Sequence, residues 1–183
     1  MADAATRHAR AARTVPQLAA SDLLQPLPPA QRWVLRGAPA VRAAAERAFG
    51  VSVPADACRA ATLGGRAALW LGPDEWLLLA EAEDACESLG AALADLPHSL
   101  VDVSHRQTAF CVAGPQAATL LAAGCPLDLD ERAFPTGMCT RTMCAKAEIV
   151  LWRPAPPVFR IEVWRSYAIY LTQFVVEAAD GMI

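Results

Sequence analysis

Apolar and polar positions alternate along this chain with two periods, one typical of strands and one typical of helices. Residues 31–36 (QRWVLR) predict a first strand, which ends at Gly37. Residues 38–49 predict a helix, because Pro39 falls in its first turn and Gly50 follows its last residue. The part of the chain with regular periodicity, from residue 31 onward, therefore begins with a strand, a glycine and a helix. We call it the patterned region.

The same kinds of element continue to the end of the sequence. The predicted strands are residues 60–63, 67–71, 75–80, 99–103, 108–112, 139–144, 148–152 and 158–164. The predicted helices are residues 82–96, 116–123 and 166–179, the last with Ser166 as its N-cap.

Two halves of the patterned region are similar to each other. Residues 36–43 pass from strand to glycine to helix, and residues 113–120 repeat that order. We therefore predict an α+β fold in which antiparallel strands carry helices on one face. It would be a single domain (residues 31–183) built from related halves at residues 31–97 and 99–180. Residues 1–30 are rich in alanine and proline and predict a partly disordered arm.

Composition and charge exclude several classes of function. Hydrophobic residues make up 55% of the 183 residues, which favours a folded core over a disordered chain. The net charge of −3 argues against a nucleic-acid-binding protein, which needs a basic surface. No apolar run has the roughly 20 residues of a membrane span, and residues 1–16 lack the apolar segment of a secretory signal. We therefore expect a cytoplasmic protein with no nucleic-acid or membrane partner.

The six cysteines do not predict a metal centre. None lies in a C-x-x-C pair, and no histidine follows one at ligand spacing. Most are next to alanine, valine or methionine, which is typical of small buried side chains. We interpret them as reduced thiols and predict no metal ligand on this chain.

Asp102, Ser104 and His105 include the residue types of a hydrolytic triad. Neighbouring residues of a strand point to opposite faces, which makes proton transfer between Ser104 and His105 difficult. The sequence also lacks the G-x-S-x-G turn that presents a nucleophilic serine. We therefore favour a structural role, in which Asp102 caps a turn by accepting backbone N–H bonds, and we predict no catalytic residue.

The glycines do not predict a cofactor site. The sequence contains neither G-x-G-x-x-G nor G-x-x-x-x-G-K-[ST]. Gly114 and Pro115 open a predicted helix whose free amides would attract an anion, but a plain turn from strand to helix is the favoured interpretation. We predict no cofactor-binding residue.

Trp164, Arg165 and Tyr167 lie where a predicted strand becomes the last predicted helix. Aromatic residues and arginine dominate the hot spots of protein interfaces. A core position for Trp164 is an equal alternative on sequence grounds.

Several segments carry a resemblance to a known family. They are residues 71–78, 102–110 (DVSHRQTAF), 113–118 (AGPQAA), 120–129 (LLAAGCPLDL), 133–135, 139–142, 145–148, 151–153 and 159–167 (FRIEVWRSY). In these segments the chain resembles the gamma subunit of heterotetrameric sarcosine oxidase. The resemblance covers about residues 30–180, and the part from 99 to 170 is the specific one.

The resemblance implies a subunit of an enzyme that oxidatively demethylates sarcosine to glycine. Hydrogen peroxide and either formaldehyde or methylenetetrahydrofolate are the other products. FAD, FMN and NAD would be bound by the alpha and beta subunits and zinc by the delta subunit, with tetrahydrofolate as a co-substrate. The implied fold is similar to the folate-binding domain of the aminomethyltransferases of the glycine cleavage system.

One position departs from the pattern of the aminomethyltransferases, which carry paired acidic residues before an aliphatic strand. Here that position holds Ala147 and Glu148, so one acid is replaced. Glu148 alone would still be able to bond a pterin amide. We favour a structural interpretation, in which Glu148 is an ordinary residue at a strand edge beside Lys146.

Two hypotheses remain from the sequence. In the first, the chain is a non-catalytic gamma subunit with a structural role, and Trp164, Arg165 and Tyr167 contact the alpha subunit together with Leu24 and Leu27 of the arm. In the second, it is a stand-alone folate-binding protein or a folate-dependent one-carbon transferase. The absence of the second barrel domain of the aminomethyltransferases and of a flavin motif favours the first.

Overall fold

The computed structural model describes residues 24–81 and 85–181. In chain order, the strands of this part of the chain are β1 Leu24–Pro26, β2 Gln31–Gly37, β3 Ala60–Leu63, β4 Arg66–Gly72, β5 Glu75–Ala80, β6 His98–Asp102, β7 Gln107–Ala113, β8 Cys139–Cys144, β9 Ala147–Ala155 and β10 Val158–Trp164. The α-helices are α1 Pro39–Phe49, α2 Ala85–Leu93, α3 Ala117–Ala122 and α4 Ala168–Asp180. They fall into a first unit, residues 30–104, and a second unit, residues 24–29 with 105–181.

The first unit is an antiparallel sheet in the order β3-β4-β5-β2-β6, with α1 and α2 packed against each other. Alternation along β2 buries Trp33 and Leu35 in the core, where the Trp33 ring meets Phe49 of α1 edge to face at 6.3 Å. Helix α1 ends at Phe49 and is followed by Gly50, whose φ of 72° is the left-handed conformation that favours glycine at this position.

The second unit repeats this plan with the sheet order β1-β7-β10-β9-β8, again antiparallel throughout. Strand β10 pairs with β7 on one side and with β9 on the other. Its residues Phe159, Ile161 and Val163 enter one core together with Leu171 and Val175 of α4. The expected α+β fold, with antiparallel strands and helices, is therefore present in both units.

The start of α4 differs from the prediction. Residues Arg165–Tyr167 form one 3-10 turn, and α4 itself begins at Ala168 with Tyr167 at the N-cap and no side-chain capping bond. Ser166 was expected to cap this helix, and that expectation is wrong because Ser166 lies inside the 3-10 turn.

Two boundaries also differ from those expected. Strand β6 pairs with β2, so it belongs to the first unit and that unit ends at Ser104 instead of at residue 97. Part of the expected arm is a strand, because β1 pairs with β7 and the Leu27 N–H bonds the carbonyl of Ala109 at 2.9 Å. The rest of the arm, residues 1–23, lies outside the described residues.

The second predicted helix is shorter than expected at its C-terminal end. Helix α2 ends at Leu93, although the pattern predicts helix to residue 96. Residues 82–84, where the predicted helix begins, lie outside the described residues. Among residues 24–81 and 85–181, no helix combines the length and the apolar character needed to cross a bilayer.

Close packing at Gly124 gives a test of the second unit. A Cβ added at Gly124 would lie 2.5 Å from the Phe174 ring of α4 and 3.0 Å from the backbone nitrogen of Ala145. We expect Gly124→Ala to lower the free energy of unfolding by about 1–3 kcal/mol, as overpacking does, measured by urea denaturation.

The control is Gly90→Ala in α2, where an added Cβ meets nothing within 4 Å. Alanine is the better helix former, so this variant should keep or slightly raise the stability. Equal stabilities of the two variants would contradict the packing described here.

Candidate functional site

The triad-like residues of the sequence serve the backbone. The Ser104 N–H donates to Oδ1 of Asp102 at 2.8 Å, which is the turn predicted for this carboxylate. The Ser104 hydroxyl accepts the N–H of Arg32 at 2.9 Å and also contacts the Arg32 carbonyl oxygen at 3.4 Å. Both of these contacts of the hydroxyl are therefore to the backbone of β2.

The residues of the triad-like group also differ in solvent exposure. Ser104 is buried, whereas Asp102 and His105 are exposed. The described geometry contains no hydrogen bond between Ser104 and His105, so it does not assemble a nucleophile with its base. The turn-capping interpretation of Asp102 is confirmed by its bond to the Ser104 amide.

The position that departs from the aminomethyltransferase pattern supplies a single carboxylate. Ala147 is fully buried in the second core, and Glu148 is exposed on β9 opposite Met143 of β8. An acid at residue 147 would have to enter an apolar core, where an unpaired charge is costly. The described residues therefore do not form the paired acidic group at this position, and we derive no folate step from it.

The described cysteines are free thiols, and three of them are buried. They are Cys58, Cys111, Cys125, Cys139 and Cys144. Burial raises the pKa of the Cys144 thiol to about 11, and the neighbouring Cys125 adds to the effect. Burial also raises the pKa of Cys125. Such thiols remain protonated at neutral pH and are poor nucleophiles and poor metal ligands.

Metal ligation has no support elsewhere in the described part of the chain. Among those residues, no three His, Cys, Asp or Glu side chains cluster in a way that would hold a metal ion.

An exposed group of aromatic and arginine side chains lies at the end of β10. Trp164 and Tyr167 are each 40% exposed, which is high for large aromatic residues. The guanidinium carbon of Arg106 lies 5.0 Å from the centre of the Trp164 ring, within the range of a cation–π contact. Arg165 lies between the aromatic residues and is half-buried. We call Arg106, Trp164, Arg165 and Tyr167 the aromatic–arginine patch.

Backbone pairing holds this patch in place. Trp164 is opposite Gln107 in the ladder between β10 and β7. One residue further along, the Arg165 N–H donates to the carbonyl oxygen of Arg106 at 2.8 Å. The register of the two strands therefore sets which side chains meet at the patch.

The sequence-predicted interface residues are only partly brought together. Trp164, Arg165 and Tyr167 follow one another at the end of β10, and the core alternative for Trp164 does not hold, because its side chain is 40% exposed. Leu24 was expected to contact a partner, and that expectation is wrong. It is 2% exposed and belongs to the core of the second unit. Leu27 is half-buried beyond β1, which is separated from β10 by β7.

Arg106 was missed by the sequence analysis. It follows the Asp102 turn in the chain, and its proximity to Trp164 depends on the pairing of β7 with β10. The useful signal in the sequence was limited to an arginine two residues before a predicted strand.

A buried ion pair lies on the face of β10 that is opposite to the helices of its unit. Glu162 is 1% exposed and accepts from Arg160 Nε at 2.9 Å and from the terminal nitrogen Nη2 at 2.8 Å. A charged carboxylate at such a position requires this kind of partner. The pair is therefore explained by burial and needs no catalytic role.

The chain is similar to proteins of one family. A family model described as "Sarcosine oxidase, gamma subunit family" matches residues 36–180. The sarcosine oxidase subunit gamma of Corynebacterium sp. (strain U-96) is 35% identical over 138 residues, which cover 74% of this chain and 67% of the relative. That of Corynebacterium sp. (strain P-1) is 33% identical over 120 residues, which cover 65% of this chain and 59% of the relative.

Solved structures agree with these matches. A chain of the heterotetrameric sarcosine oxidase from Corynebacterium sp. U-96 superposes with a TM-score of 0.82 at 31% identity, covering 86% of this chain and 83% of that one. Glycine cleavage system aminomethyltransferase T from Bartonella henselae superposes with a TM-score of 0.63 at 13% identity, covering 84% of this chain and 45% of that one. The second likeness concerns the fold alone, which is the fold expected from the sequence.

The Asp102 turn provides a test of the structural role. Asp102→Ala removes the acceptor of the Ser104 amide, so we expect the free energy of unfolding to fall by about 1 kcal/mol, measured by thermal or urea denaturation. Asp102→Asn should lower the free energy of unfolding by less, because the amide oxygen of asparagine can accept the same hydrogen bond. Asp56→Ala, at another exposed aspartate, is the control and should leave stability unchanged. Equal effects of Asp102→Ala and Asp56→Ala would contradict the capping role.

Proposed function

Since this chain belongs to the sarcosine oxidase gamma subunit family, we propose that it is the non-catalytic gamma subunit of a heterotetrameric sarcosine oxidase. The observation that carries the proposal is the superposition on a chain of the solved heterotetramer over 86% of this chain. Its role is in assembly, and the complex oxidises sarcosine.

The side chains that would have to perform chemistry support the non-catalytic role. Asp102 and Ser104 bond backbone groups, and the described thiols with raised pKa lie in apolar surroundings. The sequence has no nucleotide-binding glycine motif. These observations support the assignment of substrate oxidation to other chains of the complex.

The partners follow from the same family. We propose alpha, beta and delta subunits as the other chains, with alpha as the direct neighbour of this one. FAD, FMN and NAD would be bound by alpha and beta and zinc by delta, with tetrahydrofolate as a co-substrate of the complex. The complex would act in the cytoplasm.

The proposed contact with alpha is the aromatic–arginine patch. Trp164 and Tyr167 expose apolar surface that a partner would cover, and Arg165 lies between them. Interfaces concentrate their binding energy in such residues. Leu27 remains a peripheral candidate, and Leu24 is dropped because it is buried in its own unit.

The experiment that tests the proposed function is purification of the native complex through a tag on another subunit. This chain should copurify in fixed stoichiometry with the other three chains and with flavin absorbance. The chain expressed alone should be colourless. Copurification with no other chain, or flavin bound to the isolated chain, would contradict the proposal.

Removal of an exposed ring tests the contact surface. Trp164→Ala should weaken binding of this chain to the complex by about 2 kcal/mol or more, as expected for a hot-spot tryptophan, measured by titration of the lone chain into complex lacking it. The fold should persist, because Trp164 is exposed. The control is Leu63→Ala, which truncates a 66% exposed leucine of the first unit and should bind normally. Normal binding by Trp164→Ala would place the interface elsewhere.

Turnover of the assembled complex tests the absence of catalytic groups. Asp102→Asn and His105→Ala should each leave the rate of sarcosine oxidation nearly unchanged, because neither side chain is assembled with a nucleophile. Oxygen uptake by the purified complex measures this rate. A fall of about a hundredfold or more with intact assembly would be the size expected for a lost acid–base group, and would mean that this chain shares in the chemistry.

A further inference from the structure

We propose that the partner surface facing the aromatic–arginine patch carries carboxylates, and that Arg106 binds one of them. This inference rests on the proposed function. The inference adds to the proposed function a residue that the sequence did not indicate. It also adds the chemistry of the surface that this residue recognises.

Arg106 is held in position by two contacts. Its guanidinium carbon lies over the Trp164 ring at 5.0 Å, and its carbonyl oxygen accepts the Arg165 N–H at 2.8 Å. A contact with an aromatic ring uses the face of the guanidinium, whereas its five N–H donors lie in the plane. The ring contact therefore restrains the side chain of Arg106 and is compatible with N–H donors directed to an anion.

Within the described part of the chain, no carboxylate pairs with Arg106 or Arg165. Other arginines there do have such partners, since Arg36 pairs with Asp74 at 3.0 Å and Arg160 donates to a carboxylate of its own strand. Both guanidinium groups of the patch are permanently charged. The patch thus presents two positive charges beside two exposed rings on a chain whose net charge is −3.

A docked partner would strengthen the electrostatic interactions of those charges. An exposed ion pair contributes little, but the rings of Trp164 and Tyr167 would exclude water from a pair formed beside them. Charged contacts strengthen as the local dielectric falls, and arginine matches a carboxylate with two parallel hydrogen bonds. A carboxylate-bearing partner fits the patch better than a purely apolar one.

A competing source of carboxylates is this chain itself, through Asp3 and Asp22. Leu24 is opposite Val112 on β7, whereas Trp164 is opposite Gln107 of the same strand. The chain therefore enters the sheet at the end of β7 away from the patch. The comparison of Arg106→Glu with Arg106→Gln in the isolated chain distinguishes a carboxylate of these residues from one of a partner subunit.

The experiment compares three variants in the complex. Arg106→Glu, Arg106→Gln and the control Arg132→Glu are each titrated into complex lacking this chain, at low and at moderate salt. Arg132 is also exposed, and it lies in the loop before Phe134, whose ring packs against Phe159 at the opposite end of β10 from Trp164. We expect Arg106→Glu to bind about tenfold or more weakly, because like charges repel across an interface, and Arg132→Glu to bind as wild type. Salt should weaken wild-type binding more than Arg106→Gln binding.

The outcomes separate this inference from the proposed function. Normal binding by Arg106→Glu, with Trp164→Ala defective, would overturn the acidic partner and leave the subunit role intact. Absence of this chain from the purified complex would overturn the subunit role itself. A lower melting temperature of the isolated chain for Arg106→Glu than for Arg106→Gln would show that the carboxylate comes from this chain, and would also overturn the inference.

Discussion

The register of the central strand β10 is the constraint on which the second unit depends. Val158–Trp164 is paired along both edges, and its alternation sends Phe159 and Ile161 into the helix-covered core. The ladder with β7 ends where Trp164 meets Gln107. A slip of one residue would exchange the two faces of the strand and move Trp164 into the core. The exposed patch therefore exists because the core fixes this register.

The opposite face of the same strand reinforces that register. Arg160 and Glu162 are two residues apart and so lie on one face, where they form the buried ion pair. A one-residue slip would carry both charged side chains into the apolar core, where desolvation of an ion pair is strongly unfavourable. Apolar burial on one face and a charge pair on the other thus specify the same pairing, and they hold the patch at the end of the sheet.

Local patterns were sufficient to predict most strands and the α+β class, because two-residue alternation and glycine turns depend on neighbours in the chain. They failed where tertiary pairing decides. The partner of β6 is β2, and Leu24 is buried because β1 joins β7. Arg106 meets Trp164 only across a strand pair. The Asp102 turn was predictable because its bond spans two residues.

We expect the surface at the end of β10 to be covered in the assembled enzyme. Hydroxyl-radical footprinting of the isolated chain and of the purified complex tests it directly, since Trp164 and Tyr167 are each 40% exposed in the chain alone. Oxidation of both side chains should fall sharply on assembly, while Leu63 of the first unit stays reactive. Equal oxidation of Trp164 and Tyr167 in the two samples would contradict it.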